Sequence, residues 1–174
     1  LIINTFGELA DTWLKNREIE LCANTLRKTG SQISTLKAVV GKSTVIREIS
    51  YNDVLRYRSE LLHGSTLYPL DRRSNKIGRT VRTVDNYISL LCSLLRFAYK
   101  SGFTESKAFE GVKKLQKSNT KPDPLMREEF AKLMSALSGQ SHNMWKFAVY
   151  SGLRHGELAA LAWEDIDLKA GTVN

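Results

Sequence analysis

Several residue types and patterns are scarce in this chain, and each shortage removes a class of function. Only two cysteines occur in 174 residues, Cys22 and Cys92, with no Cys-x-x-Cys pair and no histidine at metal-ligand spacing. Neither a disulfide framework nor a zinc site fits that usage, and two buried or half-buried free thiols are expected instead. No apolar run approaches the roughly 20 residues of a membrane span, and the start carries no secretory signal, so a cytosolic protein is expected. Neither an internal repeat nor a low-complexity tract is present.

What remains is ordinary globular material, 42% hydrophobic and 25% charged, with a net charge of +8. The distribution of that charge is more telling than its size. Residues 1–120 hold 20 of the 26 Lys and Arg against 11 of the 18 Asp and Glu, an excess of nine, whereas residues 121–174 hold 6 against 7. A positive field confined to one segment is the footprint of a polyanion-binding domain, although such a surface also serves solubility alone.

Apolar spacing divides the chain into helices. Phe6, Leu9, Ala10, Trp13 and Leu14 predict a first helix from about Thr5 to Arg17, with Asn4 or Thr5 as its cap. Asn24 or Thr25 is expected to cap a second, whose inner stripe is Leu26, Ile33, Leu36 and Val40 and which ends at Gly41. Ser50 and Asp53 form a capping-box pair ahead of a third, with Tyr51, Val54, Leu55, Leu61 and Leu62 inside and an end near Gly64. Residues 64–78 have no helical stripe, include Pro69 and carry Arg72, Arg73 and Lys76, which predicts an exposed basic loop. The fourth helix is long, with Val81, Val84, Ile88, Leu91, Leu95 and Ala98 on one side and Arg82, Asn86, Ser89, Ser93, Arg96 and Lys100 on the other. A short fifth helix is predicted over Ser106–Val112. The polar, basic stretch that follows, with Pro122 and Pro124, marks a linker.

Beyond it, Phe130, Leu133, Met134 and Leu137 line one helix, and two more flank the run Ser151-Gly-Leu-Arg-His-Gly-Glu-Leu158. Gly152 suits a helix C-terminus, and Gly156 and Glu157 open the next helix, so Arg154 stands on a corner beside a helix N-terminus. Backbone N–H groups there favour an anion, and a guanidinium adds a two-point hydrogen bond to a phosphate. Helix capping is the plainer reading of the same corner. Leu161 and Trp163 are expected in the core, and Ile166–Val173 is expected to be the first strand of a sheet. Asp165 and Asp167 fit the helix-to-strand corner better than a metal pair.

The full string, continuing into Leu-x-Trp-x-Asp-Ile-Asp, resembles the first arginine box of the tyrosine recombinases, the phage integrase family. That resemblance extends to the layout of the chain, in which a four- or five-helix bundle, a linker, a Leu-x-x-Glu-Glu-Phe helix and the arginine box follow in the family's order. Ser106-Lys107 departs from it, where many members have Asn-Pro. The implied fold is mainly α. It comprises a SAM-like core-binding domain over residues 1–115, a linker at 116–124, and the opening part of an α+β catalytic domain over 125–174.

On the same resemblance, Arg154 is the first catalytic arginine, with Glu157 orienting it or capping the helix. The family's β-hairpin lysine, His-x-x-Arg element and nucleophilic tyrosine lie downstream of this box. None of His63, His142 and His155 has an arginine three positions on, and all six tyrosines precede Arg154. The expectation is therefore a piece of a longer recombinase, inactive alone, that cuts and rejoins double-stranded DNA at core-type attachment sites through a 3′-phosphotyrosyl intermediate. The family's chemistry requires neither metal nor cofactor, and its members assemble as tetramers on DNA. For DNA contact the candidates are Lys76, Arg79, Thr80, Arg82, Thr83 and Asn86 at the start of the fourth helix. Arg27 and Lys28 join them, because the family's second and fourth helices approach the major groove. Lys15 and Arg17 are placed away from DNA. Two other classes stay open: a non-catalytic DNA-binding regulator or integrase remnant, and a helical protein-interaction module.

Overall fold

The computed structural model describes residues 3–64, 78–116, 122–167 and 169–173. It is mainly α-helical and divides into two compact units, Leu1–Asn119 and Thr120–Asn174.

The first unit is a bundle of α1 (Phe6–Arg17), α2 (Ala23–Val40), α3 (Tyr51–His63) and α4 (Val81–Lys100), with a single 3-10 turn at Ile46–Glu48. Helix α1 starts where Thr5 and Glu8 cap each other. The Thr5 hydroxyl accepts the Glu8 N–H, and the Glu8 carboxylate accepts the N–H groups of Asn4 and Thr5 at 3.1 and 3.0 Å. Ser50 and Asp53 repeat the device at α3. Both carboxyls are held below their ordinary range, Glu8 chiefly by the Thr5 backbone N–H and Asp53 chiefly by the Ser50 hydroxyl.

Helix α4 has the largest buried face, with Val84, Tyr87, Ile88, Leu91, Leu94, Leu95 and Ala98 against Phe6, Leu9 and Ala10 of α1, Leu36 of α2 and Leu61 of α3. At about 2 kcal/mol per fully buried aliphatic side chain, this face is the main apolar contribution to the unit. Two observations place α1 against its neighbours. The Phe6 N–H donates to the Thr44 carbonyl just past the end of α2, so α1 and α2 run antiparallel. Trp13 and Arg17 share a groove with Ser93 and Lys100, which places the last turns of α1 beside the C-terminal part of α4.

Two expectations change here. Residues 106–112 form no fifth helix but a single turn over 108–111, and Gly111 sits at φ +73°, which interrupts a helix. Helix α2 starts two to three residues early, at Ala23, and its flanking residue is Cys22, which makes no side-chain cap. Cys22 itself is exposed, contrary to expectation, while Cys92 is half-buried. The Thr25 hydroxyl lowers the Cys22 thiol's proton affinity, and burial raises that of Cys92.

The second unit contains α5 (Arg127–Ala136), α6 (Gly139–Ser151), α7 (His155–Ala160), a 3-10 turn (Trp163–Asp165) and the strands β1 (Ile166–Asp167) and β2 (Thr172–Val173). The strands pair antiparallel, Ile166 with Val173, as a small hairpin where one strand was expected. The reason is local: Gly171 adopts φ +68°, and the Asp167 carboxylate accepts the N–H groups of Lys169 and Ala170, closing a turn. Phe130 and Tyr150 meet edge to face, tying α5 to α6. No described residue of these elements is fully buried, and Trp163, expected in the core, is 82% exposed.

Candidate nucleic-acid interface

The start of α4 is positioned by its contact with α3. Gly78 lies at φ +75° against the end of that helix, where a Cβ would overlap the Leu62 carbonyl. The Arg79 N–H then donates to the Leu61 carbonyl at 3.0 Å, and Thr80 becomes the N-cap. Its hydroxyl accepts the Thr83 N–H and lies 2.9 Å from the Thr83 hydroxyl. Thr80 and Thr83 therefore have a capping role that sequence spacing did not reveal. Arg79, Arg82 and Asn86 are exposed around them, and Lys76 lies outside the described residues.

Arg27 and Lys28 are also exposed, with the Arg27 guanidinium donating to the Asn24 side chain. In α2 they stand seven and eight residues before Thr35, whose hydroxyl meets the Tyr87 hydroxyl of α4.

The arginine corner is built as its glycine implies. Gly152 closes α6 in the left-handed region at φ +68°, and Arg154 is the residue flanking α7. The Glu157 carboxylate accepts the Arg154 backbone N–H at 2.8 Å and one guanidinium nitrogen at 3.1 Å. The Arg154 side chain is 87% exposed, so this ion pair leaves most of its donors open to solvent. Helix α7 has only six residues, which gives its dipole little weight, and an anion here depends on the guanidinium. His155, also exposed, borders an apolar groove with Met144 and Leu158.

Asp165 and Asp167 are used locally, Asp165 accepting the Ala162 N–H and Asp167 holding the hairpin turn. Among the described residues no group of three or more His, Cys, Asp or Glu is arranged to hold a metal ion, and no helix is long and apolar enough to cross a membrane.

Comparison with known proteins bears on what this surface and corner are for. Over 173 residues, 99% of its length, the chain is 65% identical to Prophage integrase IntR of Escherichia coli (strain K12). The chain is integrase-like. It is also 36% identical over 170 residues to the Putative defective protein IntQ of the same organism. This integrase-like chain spans 42% of the first relative's length and 43% of the second's. No family model matches it, and no solved structure does.

Proposed function

We propose that the chain comprises the DNA-binding unit and the opening of the catalytic domain of a site-specific tyrosine recombinase of the prophage type. The observation that carries this reading is the 65% identity to a prophage integrase across an arginine box that matches the recombinase pattern. The first unit, which holds the basic excess, grips duplex DNA at core-type attachment sites. Arg154 binds the scissile phosphate. As a tyrosine attacks, charge builds on the non-bridging oxygens of a pentacoordinate phosphorus, and a two-point guanidinium contact stabilises it. The energy of the broken phosphodiester is kept in the 3′-phosphotyrosyl bond, so rejoining needs no nucleotide hydrolysis. Glu157 holds Arg154 at the corner and competes with phosphate for one of its nitrogens. The whole enzyme works as a tetramer on DNA in the cytoplasm.

A second reading, a remnant that binds DNA without recombining it, draws on the printed description of the second relative as a putative defective protein. Two measurements test these readings. Titration of the chain with duplex DNA at increasing salt should show binding that falls steeply, because each neutralised phosphate releases counterions. Arg154→Ala or Arg154→Lys in the integrase-length protein should then abolish strand cleavage while changing DNA affinity little. Absence of DNA binding at low salt removes both readings. Normal cleavage of a suicide substrate by Arg154→Ala leaves Arg154 a capping residue.

A further inference from the structure

A basic groove runs along α4 from Asp85, within a turn of Arg82 and Asn86, to Arg96. Asp85, Ser89, Cys92, Ser93 and Arg96 form one wall, and Phe109 and Val112–Lys114 form the other. Residues 113–115 leave the helical bundle, and charged chain in such a place is ordinarily loose. Here it is fastened twice. The Arg58 guanidinium donates to the Lys113 carbonyl at 3.1 Å, and the Leu115 N–H donates to the Asp85 carboxylate at 3.0 Å. Asp85 is 93% buried, and its second oxygen has no hydrogen-bond partner, so the carboxylate is positioned for that one bond at a desolvation cost. On the facing wall Arg96 lies over the Phe109 ring at 5.2 Å.

Three cations are thus held around one groove, and none of Arg96, Lys113 and Lys114 forms an ion pair among the described residues. Arg17, Lys37, Arg56 and Lys107 each have an acidic partner, while Lys15, Arg27, Lys28 and Lys42, like the groove cations, have none among the described residues, so what distinguishes the groove is its two tethers. Between Arg82 and Arg96 the same side of α4 carries Asn86, Ser89 and Ser93, which are hydrogen-bonding groups of modest size. Arg82 and Arg96 are fourteen residues apart on one stripe, about 21 Å at 1.5 Å per residue.

We infer that Arg96, Lys113 and Lys114 form a second binding site for the DNA phosphate backbone, held in place by Asp85. Resting on the reading that the first unit binds duplex DNA, it extends the Arg79–Asn86 surface along the polar side of α4 as far as Arg96. Asp85 is a positioning residue. It repels phosphate as a charge and favours it through the lysines it fixes.

The opposing effects of Asp85 supply the test, made on the 174-residue chain with a short random-sequence duplex. Arg96→Gln with Lys114→Gln should lower the slope of log affinity against log salt by about two, since each phosphate contact contributes about 0.9. Lys15→Gln with Lys42→Gln removes the same charge and should lower it by less than one. Asp85→Leu makes the chain more positive yet should weaken binding several-fold. Asp85→Asn, whose amide oxygen still accepts the Leu115 N–H, should bind as well as the parent or better. Thermal melts confirm that each variant is folded, and an unfolded Asp85→Leu leaves the decision to the two paired-charge variants. Equal slopes for those two pairs, or tighter binding by a folded Asp85→Leu, overturn this site while leaving the DNA-binding reading intact. A parent chain that does not bind DNA overturns both.

Discussion

The two units use the same building material and reach different degrees of burial. Helices α4 and α6 both carry large apolar side chains at helical spacing. In α4 Leu91 and Leu94 are wholly inaccessible, whereas in α6 Tyr150 is 76% exposed and Met144, Trp145 and Val149 are close to half exposed. Intrinsic helix preference does not separate them, since both helices form. The difference lies in the surroundings: α4 is packed by α1, α2 and α3, while α6 has the short α5 and α7 as its helical neighbours in its own unit. An amphipathic stripe is a demand for a partner, and it contributes its apolar energy only where a second element meets it.

The contrast can be broken most forcefully in the cores. Leu91→Ala should cost about 2–5 kcal/mol and unfold the first unit at markedly lower denaturant, while Leu158→Ala, at a half-buried position, should cost under about 1 kcal/mol. Equal costs would mean that the second unit has a core of its own in solution. Hydrogen exchange sharpens the same point, with amides in the middle of α4 expected at least about 100-fold more protected than those in α6.

Gly78→Ala should come next. Its positive φ and the overlap with the Leu62 carbonyl predict a loss of roughly 1–3 kcal/mol, and thermal melts should show Gly152→Ala, which has open space around its Cβ, costing less. Ser50→Ala should remove about 1 kcal/mol by opening the α3 capping box. Asp53 adds a pH dependence of known sign. Its folded value is lowered, so its contribution is complete above the ordinary carboxylate range near 4 and is lost as pH falls through the depressed value. Asp53→Asn should accordingly destabilise at pH 7 and converge with the parent at the lowest pH where both still fold. The smallest effect belongs to the exposed Arg17–Glu20 pair, where a double-mutant cycle should give under about 0.5 kcal/mol.

Much of the first unit was legible in the sequence because its signals are local. Asn4 or Thr5 as a cap, Ser50 with Asp53 and the closing Gly41 mark helix ends within four residues, and the α4 stripe repeats often enough to fix its period. The stretch 106–112 was misread because a short run satisfies helix and turn rules alike, and Gly111 outweighed the rest. Trp163 was misplaced for another reason. Periodicity identifies the apolar side of a helix or corner, but nothing in a local window says what covers it. At the candidate interface the exposed cations were visible as residues, and the tethers from Arg58 and Asp85 were not, since each joins positions 30 or more apart in sequence. The hairpin at 166–173 had a readable sign in Asp167 and Gly171, the turn residues that bracket it.

The two thiols give the chain a built-in chemical address. Cys22 is open to solvent with its thiolate favoured by Thr25, and Cys92 is half-buried with its thiolate disfavoured. A maleimide fluorophore at neutral pH should therefore mark the start of α2 long before it reaches α4. The unaltered protein can thus carry a single reporter beside Arg27 and Lys28, and its emission can follow the approach of a duplex to that end of the bundle.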